Sequence, residues 1–263
     1  MKTAFSTLGC TDKNLDEILA LAVQYGMDGL EFRGIGGILD TAKIADFAPG
    51  ARAQTRSRIA AAGKAAVVVG TSCAFHDPAR TEAAIAEGVN AVAVAEGIGA
   101  PFIRVFGNKI KEDFSATAQR VSDGIAQILH RTADRPDVSV LLEVHGDFNS
   151  VERLDPVVQA LADEPRFGLI WDVKHTDIGY RENWGEFYTH FRPLIRHVHL
   201  KDALRATETH VLPGDGDLPL RAIISRLASD GYDGFFSLEW ERKWHPELPP
   251  IEEALEKYAA LFR

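Results

Sequence analysis

The sequence is poor in cysteine, has no long apolar run and carries no excess of positive charge. Cys10 and Cys73 are its only cysteines, too few for a disulfide framework, so we expect a cytoplasmic protein. No run of about 18 apolar residues occurs, and we therefore predict no membrane partner. Its 38 acidic residues outnumber the 29 Lys and Arg residues, for a formal net charge of -9. A nucleic-acid partner is not expected, because phosphate-backbone binding depends on clustered Lys and Arg.

A complete glycine fingerprint for a dinucleotide is also missing. Gly34, Gly36 and Gly37 follow the second predicted strand, but neither the full glycine spacing nor its acidic follower is present. We interpret this segment as a strand-to-helix loop rather than a phosphate-binding cradle. A sugar or another small polyol fits the acidic composition better.

Strand-like and helix-like segments alternate eight times along the chain, without a linker or a low-complexity stretch. The predicted strands are 4–9, 28–33, 65–70, 102–106, 138–143, 167–172, 195–199 and 234–239. The predicted helices include one that begins at Asp155-Pro156 with proline in its first position. Such alternation fits a closed parallel barrel or an open doubly wound sheet. The 263 residues are the usual length of one barrel, and we predict an α/β fold, a single (β/α)8 TIM barrel domain over residues 1–263.

Four of the predicted strands end in a residue of a type that binds metal ions: Glu143, Asp172, His199 and Glu239. Side chains alternate across a strand, so all four lie on one face of their strands, and the opposite face is apolar. The carboxyl ends of barrel strands converge at one mouth. We therefore predict that the four meet around one cation, although a single carboxylate there often only pairs with Lys or Arg. His197 shares this face one layer deeper, where we interpret it as a core histidine.

The residues around these strand ends form motifs. They are Leu142–Asp147, Trp171–His175, His197–Asp202, Leu238–Glu241 and the Gly231–Gly234 turn before the last strand. In order and in strand placement they resemble the xylose-isomerase-like family of sugar phosphate isomerases and epimerases, over nearly the whole chain. The resemblance implies that the four strand-end residues bind a divalent metal ion, usually Mn, Co or Mg. A set of three carboxylates and one imidazole also suits Mn or Mg, with Zn possible.

The resemblance further implies an isomerase or epimerase that acts on a ketose, a sugar phosphate or a related polyol through an enediolate. Glu143 and Glu239 are then the general acid and base. Three alternatives remain open. One is a metal-dependent dehydratase of the inosose or dehydroshikimate type, and the more distant ones are an apurinic endonuclease and a non-catalytic sugar-binding protein. A homo-oligomer is compatible with all of them.

Several further residues are candidates for binding substrate. The resemblance implies this role for His175, three residues after the aspartate, and for Arg205, six residues after the histidine. Four others are predicted to line the mouth: His145, Lys201, Glu241 and Glu31. One position departs from the family, because some ketose 3-epimerases have glutamate where this chain has Asn149.

Overall fold

Eight parallel strands close into a barrel in the computed structural model, which describes residues 1–111 and 113–263. The predicted fold class is thus confirmed. The barrel strands are β1 (Lys2–Ser6), β2 (Gly29–Phe32), β3 (Ala65–Ala74), β4 (Phe102–Phe106), β5 (Ser139–Glu143), β6 (Phe167–Asp172), β7 (Ile195–Leu200) and β10 (Phe235–Leu238). Strands β1 to β7 are neighbours in sequence order, and β10 lies between β7 and β1.

Helices connect the strands, as right-handed parallel crossovers require. They are α1 (Leu15–Gln24), α2 (Arg52–Ala61), α3 (Thr81–Ile98), α4 (Phe114–Arg131), α5 (Val151–Ala160), α6 (Val173–Tyr180), α7 (Trp184–Phe191), α8 (Leu220–Ser229) and α9 (Ile251–Ala260). Short 3-10 turns cover Thr7–Cys10, Ala45–Phe47, Pro78–Arg80 and Arg181–Asn183. Among these described residues, no helix combines the length and the apolar character that a bilayer crossing requires.

Local sequence signals explain several helix ends. Asn14 begins α1 with a capping box, in which its side chain accepts from the Glu17 amide and the Glu17 carboxylate accepts from the Asn14 amide. This exchange satisfies two amides that have no partner within the helix. Gly99 ends α3 with φ of 82°, a left-handed conformation that glycine adopts without steric cost.

The predicted start of α5 at Asp155-Pro156 is wrong. The helix begins at Val151, because the Ser150 side chain accepts a hydrogen bond from the Arg153 amide and caps the first turn. Pro156 therefore lies inside the helix, where its ring removes one backbone hydrogen bond. The N-cap serine, five residues before Asp155, is the stronger signal.

A short antiparallel hairpin follows β7 and was not predicted. Its strands are β8 (Asp202–Leu204) and β9 (Thr209–Val211), paired so that Ala203 faces His210. Three-residue strands carry too little alternation to be recognised from sequence. The hairpin places His210 beside the loop that follows β10, which matters for the site described below.

Alternation along the strands separates two apolar layers. Leu141 and Ile170 belong to a small buried cluster with Ala4, Val67 and Val68, on the inward face that also carries Glu143 and Asp172. Leu142 and Trp171 point the other way, into the large cluster shared with the helices. The inward face thus brings the polar strand ends to the mouth above an apolar floor.

Candidate active site

The four strand-end residues of the predicted metal centre come together at the barrel mouth. Asp172 on β6 is in register with His199 on β7, and His199 is in register with Ser237 on β10. One ligand-type atom from each of Glu143, Asp172, His199 and Glu239 lies within 4.8 Å of the others. All four side chains are buried.

His199 is oriented by a carboxylate behind it. Its Nε2 lies 2.8 Å from Oε2 of Glu31 on β2, which leaves Nδ1 facing Glu143 Oε1 at 3.7 Å and Glu239 Oε2 at 3.6 Å. A carboxylate that holds one ring nitrogen and so directs the other is the usual arrangement around metal-ligating histidines.

Unpartnered atoms at the centre fit a bound cation. Glu143 Oε1, Asp172 Oδ2 and His199 Nδ1 are each buried without a hydrogen-bond partner among the residues that the structure describes. Buried polar atoms are nearly always hydrogen-bonded, so a group of unpaired acceptors needs an explanation. Asp172 Oδ1 is already used, since it accepts from the Lys174 and His175 amides at the start of α6. These residues therefore fit a site for one divalent cation.

Arg104 on β4 holds the other oxygens of the two glutamates. Its Nη1 donates to Glu143 Oε2 at 3.0 Å and lies 3.4 Å from Glu239 Oε1. Its Nη2 donates to the Thr71 carbonyl at 2.9 Å, and the residue is 2% exposed. Arg104 was missed in the sequence analysis, because an arginine in the middle of an apolar strand carries no motif. The one signal in the sequence was that Arg104 lies two residues before the end of β4 and therefore faces the inside of the barrel.

Lys201 supplies the second cation of the site. Its Nζ lies 2.7 Å from Asp172 Oδ2 and 2.5 Å from Oε2 of Glu239 and Oε1 of Glu241. The ammonium approaches Asp172 Oδ2 outside the direction of a hydrogen bond, since that oxygen has no such partner. A fully buried lysine among three carboxylates is held charged by them.

The carboxyl groups of the centre differ in the direction in which their pKa values are shifted. Burial raises the pKa of Asp172 to about 6, against the opposing charge of Lys201. The pKa of Glu239 is well below its ordinary value, because Lys201, His199 and Arg104 outweigh the effect of burial. Glu143 also has a lowered pKa, in which Arg104 and His199 outweigh burial and the charge of Glu239. Both glutamates are thus carboxylates at neutral pH.

A cavity of about 280 Å³ opens above these glutamates. Glu143 and Glu239 line it together with His145, Glu241 and Trp244. Sites for small ligands are concave and combine apolar surface with a few convergent polar groups. The cavity is thus the natural place for a small polar ligand.

The amino-acid pattern of residues 19–261 matches the model of one protein family, described as the xylose isomerase-like TIM barrel. The chain belongs to this xylose isomerase-like family. The match covers most of the barrel and includes all four residues of the predicted metal centre.

Two curated relatives resemble part of the chain. Fructoselysine 3-epimerase of Escherichia coli O157:H7 is 35% identical over 69 residues, which span 26% of this chain and 25% of the epimerase. The Shigella flexneri protein of the same name matches to the same extent. The likeness therefore concerns a quarter of each protein.

Solved structures of other proteins share the whole barrel. The probable 3-DHS dehydratase AsbF of Bacillus anthracis superposes with a TM-score of 0.81 at 17% identity, over 100% of this chain and 98% of AsbF. A zinc-bound form of the protein IolI gives 0.80 at 18% identity, over 100% and 96%. The 3-keto-D-glucoside 4-epimerase YcjR of E. coli gives 0.75 at 18%, over 100% and 99%. At these identities the likeness shows the fold alone.

Within this xylose isomerase-like barrel, two histidines predicted to bind substrate lie side by side. The ring centres of His145 and His175 are 4.1 Å apart, and His145 lines the cavity. Burial lowers the pKa of His145, and it lowers that of His175 further with help from Lys201. Both imidazoles are therefore neutral at pH 7, able to donate one hydrogen bond and accept another.

Arg205 and Glu31, two other predicted substrate contacts, are engaged with protein groups. Arg205 donates to both oxygens of Asp177 at 2.8 Å and to Glu182 at 3.0 Å. Glu31 is fully buried behind His199, and its Oε2 also accepts from His197 at 3.1 Å. Neither residue lines the cavity above the glutamates, so contact with substrate stays a prediction for both.

The two tryptophans after β10 differ in exposure. Trp240 is buried, and its Nε1 donates to the Pro249 carbonyl at 2.9 Å. Trp244 is 53% exposed and lines the cavity. An exposed indole at a cavity rim offers an apolar face against which a sugar ring packs.

Proposed function

We propose that this protein is a divalent-metal-dependent isomerase or epimerase of a ketose, a sugar phosphate or a related polyol. The observation that supports it is the convergence of Glu143, Asp172, His199 and Glu239 under a cavity at the barrel mouth, with three ligand-type atoms that make no hydrogen bond to the described residues. When bound, the ion supplies a Lewis acid that stabilises negative charge on neighbouring substrate oxygens.

Glu143 and Glu239 are the proposed general acid and base. Glu143 ends β5 and Glu239 directly follows β10, with β6 and β7 between these two strands, and both residues line the cavity. One removes the proton next to the carbonyl of the ketose, and the other returns a proton to the opposite face or to the neighbouring carbon. Arg104 keeps both side chains charged and fixes their direction. The positive charge of Arg104 also lowers the basicity of both carboxylates.

Other side chains position the substrate. The neutral imidazole of His145 and the carboxylate of Glu241 line the cavity and offer hydrogen bonds to hydroxyl groups. Lys201 holds Glu239 and Glu241 at a fixed separation, because its Nζ contacts both. Trp244 closes one side of the cavity with its indole ring.

Exchange of substrate protons with deuterated water tests this function. Protein loaded with Mn²⁺ or Mg²⁺ is incubated with a panel of ketoses and ketose phosphates, and loss of the proton next to the carbonyl is followed by NMR. We expect Glu143→Gln and Glu239→Gln each to slow exchange by about 10²- to 10⁴-fold. Glu253→Gln, on the exposed side of α9, is the matched control and exchanges at the normal rate. Unchanged exchange in both active-site variants would contradict the assignment.

Dehydration is the second candidate function, and Lys201 is the observation that favours it. Its buried ammonium contacts the proposed base Glu239 at 2.5 Å, and its positive charge would favour the departure of a β-hydroxyl from a substrate held next to Glu239. Dehydration produces a conjugated product that absorbs in the ultraviolet, whereas epimerisation does not. Absorbance that grows with substrate consumption, and is lost in Lys201→Met, would favour the dehydratase.

A further inference from the structure

A second group of metal-ligand-type side chains lies outside the four-residue centre. It consists of His210 on β9, Glu241 just after β10 and His245 in the loop before α9, and is called the outer cluster below. One ligand-type atom from each residue lies within 4.8 Å of the others, the same span as in the inner centre. The hairpin and the loop between β10 and α9 therefore bring together residues from two separate segments.

The separations within the outer cluster suit a common ion. Oε2 of Glu241 lies 3.7 Å from Nε2 of His210 and 3.9 Å from Nε2 of His245. Ligands about 2.1 Å from a tetrahedral zinc ion are ~3.4 Å apart. A movement of a few tenths of an ångström would thus bring the Glu241 oxygen to this separation from each imidazole, and the ligand-type atoms of the two imidazoles lie within 4.8 Å of each other.

The side chains are also oriented as ligands require. His245 Nδ1 faces Glu247 Oε1 at 3.3 Å, so that Nε2 is directed toward Glu241. Glu241 is held through its other oxygen by Lys201. His210 is 9% exposed, and no group in residues 1–111 or 113–263 forms a hydrogen bond with its Nδ1. Orientation by a second carboxylate is the pattern found around metal-ligating imidazoles.

We propose that His210, Glu241 and His245 form a second cation site beside the cavity, with a preference for zinc or nickel. Two imidazoles and one carboxylate are softer donors than the three carboxylates and one imidazole of the inner centre, and imidazole favours these later metals over Mn and Mg. Three protein ligands also leave a coordination position open for another group. Because Glu241 and Trp244 line the cavity, an ion held by Glu241 would lie at its edge.

Lys174 competes for the same site. Its Nζ lies 3.1 Å from Nε2 of His210, so an ion must displace the ammonium from that lone pair. Its positive charge also opposes a second cation. We therefore infer that replacing Lys174 with an uncharged side chain of similar length strengthens the outer site.

Metal content at equilibrium tests the proposal without depending on activity. Protein freed of metal is dialysed against Zn²⁺ or Mn²⁺ at low micromolar concentration, and bound metal per chain is counted by mass spectrometry. We expect zinc to occupy one site per chain more than manganese. His245→Ala should lose that additional zinc and keep its manganese content. Equal zinc content in the wild type and His245→Ala would overturn the proposal.

His190→Ala is the matched control, because its side chain is 45% exposed, close to the 42% of His245, and lies 2.7 Å from Asp155. It should keep the wild-type zinc content, and equal loss in both variants would overturn the site.

A second experiment tests the role of Lys174. The zinc affinity of Lys174→Met is compared with that of Lys174→Met/His245→Ala, and the difference gives the contribution of the outer cluster. Lys174→Met should lower the dissociation constant of the additional zinc ion by 10-fold or more, which corresponds to about 1.4 kcal/mol of binding free energy. Weaker zinc binding in Lys174→Met would overturn the arrangement.

Discussion

Glu31 Oε2 lies 2.8 Å from Nε2 of His199 and 3.1 Å from Nε2 of His197, so one carboxylate oxygen on β2 contacts two imidazoles of β7. His199 belongs to the proposed metal centre, and His197 belongs to the barrel core. The contact spans 168 residues of sequence. It sets the direction in which His199 offers its second nitrogen.

Glu31→Gln should weaken the binding of Mn²⁺ by about 10- to 100-fold, because the charge that raises the basicity of His199 is lost. Isothermal titration calorimetry of the metal-free protein measures this. Glu17→Gln, in the exposed capping box of α1, should leave the affinity unchanged. An unaltered dissociation constant in Glu31→Gln would exclude the positioning role.

Arg104→Met should destabilise the metal-free protein by about 3–5 kcal/mol, because buried Glu143 loses its arginine partner and buried Glu239 loses one of its cationic partners. Urea unfolding followed by circular dichroism gives the value. Added Mn²⁺ should restore part of the loss, since a cation at the centre balances the same charge. Arg131→Met removes a surface ion pair with Glu82 at 2.7 Å and should cost less than about 1 kcal/mol. Similar losses in the two variants would argue against a buried charge cluster.

Gly216→Ala should destabilise the turn that follows the hairpin by at least ~1 kcal/mol. A Cβ at this position would lie 2.2 Å from Oδ1 of Asp202 and 2.8 Å from the Ala203 carbonyl. The Asp202 carboxylate accepts from the amides of Gly214, Gly216 and Leu218, so it cannot move away freely. Gly185→Ala in α7, where a Cβ meets nothing within 4 Å, should be neutral or stabilise by up to about 1 kcal/mol. The melting temperatures of the two variants are compared by thermal unfolding. A wild-type melting temperature in Gly216→Ala would show that the Asp202 carboxylate can move away.

Cys10 should be inert to thiol reagents at pH 8 in the folded protein. Burial raises the pKa of the Cys10 thiol from 9.0 to about 12, and burial also raises that of Cys73. Only the thiolate reacts, so labelling with a disulfide reagent should require unfolding. Rapid reaction of the native protein would contradict this.

The raised pKa of Cys10 also makes the free energy of unfolding depend on pH in the alkaline range. The folded chain keeps the Cys10 proton between pH 9 and pH 12, while the unfolded chain loses it. The stabilisation is therefore complete below pH 9 and falls as the pH rises toward 12. The free energy of unfolding in urea should decrease less between pH 8 and pH 10 for Cys10→Ala than for the wild type. Equal decreases would show that the Cys10 thiol does not cause the loss of stability.

Local patterns in the sequence predict much of this protein. Period-two alternation specifies which residues of β5, β6 and β7 face inward, and parallel strands all end at the same mouth. These two rules suffice to bring Glu143, Asp172 and His199 together. Helix signals act over a few residues as well, as the capping box at Asn14 shows, although at α5 the serine at position 150 outweighed the proline at 156.

Only the tertiary structure reveals the partners that come from distant segments. Arg104 lies 135 residues from Glu239, and their contact depends on barrel closure rather than on a local motif. The outer cluster depends on a hairpin whose strands are too short to be predicted. Side-chain alternation and helix capping are properties of a few neighbouring residues and can be read along the chain, whereas charge pairing across a closed barrel depends on which strands become neighbours in space.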